Sequence, residues 1–339
     1  MTLNNLSCPL AYNTTKYFKT PAYCLVIAAG LPLNCLAFWA LISQMKRSVV
    51  LSVYILNLTL ANLLQISTLP FWIYFSCNDH VWDLGVAACL AVRLAFRTNF
   101  YAKNAFLCLI AMERYFGLIH PLSFHRLQSM ASTIALSVTT WLVVAVLCVV
   151  GVLLETDQSE VWHKSCLDGT HVETLYAHFK LATMSLSFFL PCVLMGFFYF
   201  RVLFELRKVE SLEKRAKKQI YVFISLIVAS FFFTCVPYQV TSYYKFFWEL
   251  RLTDGEICPF ESSIFNYTNI TLCLATLSNI FDPLLYGLLL KDIRDDLKGL
   301  FRFKGQKTGS SYRLEERNLP PQTATEGAHD HLESQEITY

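Results

Sequence analysis

Six uncharged apolar stretches and a seventh, more polar one constrain the fold of this chain more than any other feature. Each can cross the hydrocarbon core of a bilayer, which is roughly 30 Å thick and needs about 20 helical residues. Lipid offers no hydrogen-bond partner to bare backbone, so spans of this kind are helices. The sequence therefore predicts an all-α membrane protein whose residues 21–290 form a seven-transmembrane helix bundle. The predicted spans are 21–44, 48–78, 86–112, 127–154, 181–200, 219–244 and 262–281.

Composition and charge support this prediction. Hydrophobic residues make up 55% of the chain and charged residues 16%, which is too apolar for a soluble domain of this length. By the positive-inside rule the basic loops are cytoplasmic, so residues 1–20 are expected outside the plasma membrane, where Asn5 and Asn13 begin acceptor sequences for glycosylation. The basic residues thus indicate topology, not nucleic-acid binding; they are Lys46, Arg47, Arg126, Arg207, Lys208, Lys214, Arg215, Lys217 and Lys218.

Cysteines at the outer ends of the spans face the oxidising extracellular environment, where disulfides persist. Two bridges can form, Cys89–Cys166 and Cys8–Cys258, and two further cysteines near the same surface cannot be paired from the sequence. The cysteines in question are Cys8, Cys24, Cys77, Cys89, Cys166 and Cys258.

An ordered series of landmarks along the spans resembles the pattern of rhodopsin-like (class A) G-protein-coupled receptors. Glu113-Arg114-Tyr115 ends the third span, and Asp282-Pro283 with Tyr286 lies in the seventh. The resemblance covers residues 20–303, and the whole series is far more specific than any single tripeptide. The other landmarks are Asn34, Asn57-Leu58-Thr59-Leu60-Ala61, Trp82, Cys89, His120-Pro121-Leu122, Trp141, Pro191, Tyr199 and Pro237.

The resemblance implies a receptor that binds an extracellular ligand and activates a heterotrimeric G protein, with no cofactor. In such receptors the sixth helix moves outward and opens an inner cleft, while Arg114, Tyr199 and Tyr286 rearrange beneath it. Pro237 and Pro283 break helical hydrogen bonds and provide bends.

The chain that follows the bundle is expected in the cytoplasm. Residues 291–303 carry apolar side chains on one helical face and charges on the other, which predicts a short amphipathic eighth helix. The polar tail 304–339 favours disorder. Its serines and threonines are candidates for phosphorylation that recruits arrestin, although a solvated tail explains them equally well.

Arginines in the third span favour an anionic ligand. Arg93 and Arg97 lie one turn apart, roughly 30 and 24 Å above Glu113 by helix rise, in the outer part of the bundle. Charges at such depth face a cavity or a partner. We expect a small anionic molecule or lipid; the alternative is that Arg93 reaches the headgroups and Arg97 pairs with an acidic loop residue. The predicted lining also includes Tyr101, Lys180, Tyr238, Gln239 and Lys245.

Within the family, residues 231–238 and Asp282-Pro283 are similar to the branch of nucleotide, lysophospholipid, carboxylate and proton-sensing receptors. The third span has no amine-binding aspartate, so a biogenic-amine receptor is not expected. Proton sensing stays an alternative, since histidine titrates near physiological pH. The histidines in or beside the outer loops are His80, His163, His171 and His178.

The largest departure from the family pattern is at Asn62 and Lys103, where relatives usually carry an aspartate and a small hydroxyl residue of a sodium site. A charge in mid-membrane is costly without a partner. Asp282 is the acid at comparable depth in the seventh span, which predicts a Lys103–Asp282 pair that stands in place of sodium. Alternatively, Lys103 lines a water-filled cavity.

Other classes of membrane protein fit less well. A retinal protein needs a lysine in the seventh helix, and 262–290 has none. A transporter is expected to have repeated halves or matching broken helices, which are not evident. An enzyme is not expected, since no nucleophile, metal-ligand cluster or phosphate loop stands out. A receptor-like scaffold that does not signal is the remaining alternative.

Overall fold

The structure, a computed structural model, describes residues 10–45, 50–119, 129–155, 166, 174–208 and 214–289. The chain divides into two units, residues 1–297 and 298–339, and every described residue belongs to the first. Regular structure in these residues is helical, without a strand. The described helices are α1 (Tyr12–Met45), α2 (Val50–Cys77), α3 (Val86–Ile119), α4 (Met130–Glu155), α5 (Thr174–Lys208), α6 (Lys214–Glu249) and α7 (Asp254–Leu289).

Five of these helices, α1, α2, α4, α5 and α6, are long and apolar enough to cross a membrane. The other two, α3 and α7, carry buried polar and charged side chains that lower their hydropathy. Lys103 in α3 and Asp282 in α7 are examples, with exposed fractions of 3% and 4%. The two least apolar helices thus supply the charges at the centre of the bundle.

The bundle exposes large apolar side chains on its outside, unlike a soluble protein, and buries a set of polar side chains among its apolar core residues. Leu142 and Leu153 of α4, Val193 of α5 and Phe233 of α6 are more than 60% exposed. Such a surface is stable when lipid, not water, surrounds it. Buried polar side chains of the bundle include Asn34, Asn62, Gln65, Asn99, Asn104, Thr276 and Asn279.

Several family landmarks tie neighbouring helices together. The amide of Asn34 in α1 donates to the carbonyl oxygens of Gly30 and Asn279, at 2.8 and 2.7 Å, and so links α1 to α7. The indole of Trp141 in α4 donates to Asn57 Oδ1 of α2 at 2.8 Å. These landmarks therefore fix the relative positions of α1, α2, α4 and α7.

The first helix differs from its predicted extent. It begins at Tyr12, not at residue 21, and contains a π-helical turn over Val26–Gly30. Lys19, expected in the extracellular segment, is only 2% exposed. The charges of Lys16 and Lys19 made residues 12–20 resemble a polar tail in the sequence. One face of this helical segment nevertheless packs into the bundle.

Some expected features lie outside the described residues. These are the eighth helix over 291–303, the tail over 304–339 and the glycosylation acceptor Asn5. Asn13 is exposed in the first turn of α1. Glycosylation at both sites, arrestin recruitment and the extracellular orientation of the N-terminus stay predictions.

Candidate ligand cavity and buried polar network

A cavity of about 240 Å³ opens between α1, α2, α3, α5, α6 and α7, at the end of the bundle that carries the Cys89–Cys166 disulfide. We call it the outer cavity. All seven side chains that the sequence predicts as ligand-binding line it: Arg93, Arg97, Tyr101, Lys180, Tyr238, Gln239 and Lys245. Because they come from three helices, the bundle itself brings them together.

The two arginines of α3 share one carboxylate. Arg93 forms an ion pair with Glu155 and also donates to the Cys166 carbonyl oxygen at 2.9 Å. Arg97 Nη2 lies 2.6 Å from Glu155 Oε2. The sequence assigned Glu155 to an outer loop, but it is the last residue of α4. Arg93 is 9% exposed, so it does not reach the headgroups.

Lys180 of α5 lies beside the arginines without a carboxylate of its own. Its Nζ is 5.5 Å from the ring centroid of Tyr176 and 5.9 Å from that of Tyr101. Among the described residues, no acidic side chain forms an ion pair with it. The Nη1 atom of Arg97 also meets no hydrogen-bond acceptor there. This side of the cavity therefore presents donors and positive charge that the described chain does not satisfy.

Lys245 of α6 is paired more fully. Its Nζ donates to Glu261 Oε2 of α7 at 2.8 Å and lies 3.6 Å from Glu249 Oε1 of α6. Both carboxylates are nearly buried, with side-chain exposures of 4% and 3%. Two acids around one ammonium tie α6 to α7 at the rim of the cavity.

Sequence reasoning missed Lys19 as a lining residue. Its Nζ donates to Asn269 Oδ1 at 3.1 Å and lies 4.5 Å from the ring centroid of Trp72. A signal was present: buried Thr15, Lys19 and Tyr23 recur every four residues, the spacing of one helix face. Extending the helical period of the first span toward the N-terminus would have found it.

A disulfide joins Cys89 of α3 to Cys166, with a Cα–Cα distance of 5.9 Å. It holds Cys166 beside Arg93, which donates to the Cys166 carbonyl oxygen. Cys24 and Cys77 are free. Cys258 is disulfide-bonded, and Cys8 lies outside the described residues, so the Cys8–Cys258 pairing stays a prediction.

A buried polar network crosses the middle of the bundle. Lys103 Nζ donates to Asp282 Oδ2 at 2.5 Å, the contact that the sequence predicts between α3 and α7. Asn62 Nδ2 donates to the same oxygen at 3.2 Å, and Asn62 Oδ1 accepts a bond from Asn99 Nδ2 at 3.2 Å. Asn34 Oδ1 is 3.4 Å from Asn62 Nδ2. Four helices thus meet through groups that lipid could not satisfy.

The predicted activation residues lie toward the opposite end. Arg114 Nε is 3.8 Å from Glu113 Oε2, and the Tyr115 ring packs against Phe198 at 5.3 Å between centroids. Tyr199 is 3% exposed.

The two predicted bends lie inside α6 and α7, at Pro237 and Pro283. Tyr286 belongs to α7, but its side chain lies outside the described part. In the part of the chain that the structure describes, no cluster of three His, Cys, Asp or Glu side chains could hold a metal ion.

A sequence model described as "7 transmembrane receptor (rhodopsin family)" matches residues 33–286. The chain belongs to this family. The predicted resemblance to a class A receptor is confirmed, and so is the expectation that the protein is not an enzyme, because members of the family are signalling receptors. The receptor is a multi-pass membrane protein of a family of G-protein-coupled receptors.

Individual relatives span most of the receptor. "G-protein coupled receptor 68" of Mus musculus is 27% identical over 298 residues, 88% of this chain and 80% of that protein. A purinoceptor of Homo sapiens is 30% identical over 292 residues, 84% of this chain and 78% of that protein. "Probable G-protein coupled receptor 132" of Mus musculus is 28% identical over 288 residues, 83% and 73% of the two chains. The predicted branch, which includes nucleotide receptors, agrees with a purinoceptor among the relatives.

Proposed function

We propose that this receptor binds a small anionic molecule or lipid in the outer cavity and transmits that binding to a heterotrimeric G protein. Membership of the family supports coupling to a G protein. The class of ligand is argued from the charge of the cavity, whose described lining has five cationic side chains and one acidic one, Glu261.

One observation carries the proposal: Lys180 and the Nη1 atom of Arg97 lie on one wall of the cavity without an acidic partner for the lysine or an acceptor for the guanidinium nitrogen in the described chain. Positive charge in a low-dielectric site attracts an anion strongly, and charge-assisted hydrogen bonds there are the strong kind. An anionic group of the ligand would satisfy both groups at once.

The contacts of Glu155 support different roles for Arg93 and Arg97. Arg93 is already held by Glu155 and by the Cys166 carbonyl oxygen, so we assign it to positioning Cys166. Arg97 keeps one nitrogen without an acceptor in the described chain, so it can bind Glu155 and a ligand together. This refines the expectation that both arginines hold the anionic group.

Two relatives also support an anionic ligand. The purinoceptors of Homo sapiens and Xenopus laevis are named for purines, and purine nucleotides carry phosphate groups that arginine and lysine recognise. Acidic lipids and carboxylates present the same chemistry to the cavity, so they belong to the same proposal.

The test is a signalling assay across all G-protein families with acidic lipids, nucleotides, carboxylates and low pH as stimuli. We expect at least one anionic class to activate the receptor at neutral pH. Activation by low pH alone would favour the second candidate below. Absence of any basal or stimulated signal at normal surface expression would favour a non-signalling scaffold.

Proton sensing is the second candidate, and Glu249 and Glu261 favour it. Two nearly buried carboxylates surround one ammonium, that of Lys245. Both carboxylates lie within 3.6 Å of the same ammonium. Like charges brought this close to one another oppose each other's ionisation, which favours uptake of a proton by the pair. Because the pair ties α6 to α7, protonation would change the contact between these two helices.

This candidate has its own test. Glu249→Gln mimics a permanently protonated side chain, and it should flatten the dependence of basal signalling on extracellular pH. Glu256→Gln at the exposed start of α7 is the control and should leave that dependence unchanged. An unaltered pH profile in Glu249→Gln would exclude this role.

A further inference from the structure

We infer that the outer cavity holds a second anion subsite, formed by Lys19 and Trp72, so that the ligand is an elongated molecule with an anionic group at each end. This inference rests on the proposed function, because it extends a ligand whose first anionic group binds Lys180. It names the ligand class more closely than the proposed function does.

Lys19 brings a positive charge into the cavity from α1. It lines the cavity and is 2% exposed. Its ammonium contacts Asn269 Oδ1 at 3.1 Å and lies over the Trp72 ring at 4.5 Å. These two contacts hold the ammonium at the cavity wall. A buried lysine side chain is expensive, and one that faces a cavity usually marks a binding site.

Trp72 adds a second donor at the same place. It lines the cavity and is 7% exposed, and its indole N–H meets no acceptor within the described ranges. A buried donor without a partner is costly, and tryptophan offers only this one polar group. An oxyanion beside Lys19 would accept a hydrogen bond from it.

The two subsites lie on opposite sides of the bundle. Lys19 belongs to α1, which packs against α2 and α7, whereas Lys180 belongs to α5, which packs against α3, α4 and α6. Both side chains nevertheless line the same cavity. A ligand with a single anionic group can engage only one of them at a time.

The wall between the subsites is aromatic. Trp72 packs against Phe96 at 4.9 Å between ring centroids, Phe96 against Phe100 at 5.5 Å, and Phe100 against Tyr238 at 5.0 Å. Aromatic faces bind apolar or flat groups. The cavity is therefore complementary to two anionic ends joined by an apolar or planar middle.

The test uses purified full-length receptor and two series of acids at constant ionic strength. Straight-chain dicarboxylates from succinate to suberate are compared with monocarboxylates of equal length, and the thermal unfolding midpoint is titrated with each. We expect the best dicarboxylate to act at a concentration at least about tenfold below that of its monocarboxylate, a difference of about 1.4 kcal/mol.

Variants of Lys19 and Trp72 test whether these residues cause the advantage of the dicarboxylate. Lys19→Gln should abolish the advantage of the dicarboxylate and leave the monocarboxylate response unchanged. Trp72→Phe keeps an aromatic ring but removes the donor, so it should reduce the advantage even if Lys19→Gln folds poorly. Lys16→Gln is the matched control, because Lys16 lies on the same helix but does not line the cavity.

The outcomes separate this inference from the proposed function. If Lys19→Gln and Trp72→Phe both keep the dicarboxylate advantage, the second subsite is wrong and the first one stands. If the wild type responds to neither series, the second subsite is wrong, and the signalling panel still decides the proposed function. If Lys180→Gln keeps the monocarboxylate response, the first subsite fails and the second subsite fails with it.

Discussion

Lys103 and Asp282 form a buried ion pair between α3 and α7, with side-chain exposures of 4% and 6%. In a membrane such charges are tolerated only when they are paired and hydrogen-bonded. Asn62 supplies a further hydrogen bond to the same Asp282 oxygen. The pair and its amide neighbour therefore act as one structural unit at the centre of the bundle.

Removing one member of this pair should destabilise the receptor. We expect Lys103→Ala to cost roughly 3–5 kcal/mol, because it leaves the Asp282 carboxylate buried without its partner. The double variant Lys103→Ala with Asp282→Asn should recover much of that loss, since no charge is left behind. Thermal unfolding of purified receptor measures both, and equal destabilisation of the single and double variants would contradict this account.

The same pair predicts how the receptor responds to sodium. The ammonium of Lys103 already donates to Asp282 Oδ2, an oxygen that would otherwise be available to coordinate a cation. Sodium should therefore leave basal signalling and agonist affinity unchanged when it is compared with choline at equal ionic strength. Asn62→Asp combined with Lys103→Ser restores the family pattern and should introduce a sodium effect. A sodium-specific shift in the wild type would argue against the replacement.

At the scale of helices, Glu155 links the end of α4 to α3 through Arg93 and Arg97. Because it neutralises charge next to the cavity, Glu155 opposes binding of a second anion at Arg97. Glu155→Gln should lower the half-maximal concentration of an anionic ligand several-fold, by roughly 1 kcal/mol. Asp79→Asn, at an exposed carboxylate of the same end, should leave it unchanged. Weaker binding in Glu155→Gln would show that positioning by Glu155 outweighs its charge.

The disulfide connects α3 to the segment around Cys166 across a sequence separation of 77 residues. Cross-linking so long a loop restricts the unfolded chain, and losing such a bridge costs about 2–5 kcal/mol. Cys89→Ser should therefore reduce surface expression strongly. Cys24→Ser, at a free and exposed cysteine, should not. Quantitative surface labelling compares the two, and normal expression of Cys89→Ser would contradict the prediction.

At the scale of helices, hydrophobic periodicity and the depth of residues along a helix predicted most of the fold. The approximate position of each span follows from its apolar stretch, although the ends do not. Helix rise places Lys103 in mid-membrane, at a depth comparable to that of Asp282. The partner of Arg93 and Arg97, Glu155, could not be predicted from the sequence, because the depth of a residue does not tell which neighbouring helix its side chain faces. Glu155 was assigned to a loop because the predicted fourth span stops at residue 154, whereas α4 continues to Glu155. Lys19 was missed since a charged residue ahead of the first span is normally solvated.

For the whole molecule, both ends of the bundle carry charged side chains, but in different arrangements. The cavity end holds five cationic lining side chains and the acids that partly balance them. The opposite end carries the contact between Glu113 and Arg114. The buried pair of Lys103 and Asp282 lies between the ends, on helices α3 and α7 that contribute to both. A change in the positions of α3 and α7 caused by anion binding at the cavity end would therefore also move residues at the opposite end.

The measurement that tests this account most directly is a concentration–response curve for G-protein activation by an anionic agonist identified in the signalling panel. Lys180→Gln removes the charge at the proposed site, whereas Lys208→Gln removes an exposed charge at the other end of the same helix. We predict that Lys180→Gln lowers potency at least about tenfold, or 1.4 kcal/mol, at equal surface expression, with Lys208→Gln near the wild type. Equal potency of Lys180→Gln and the wild type would contradict the central claim.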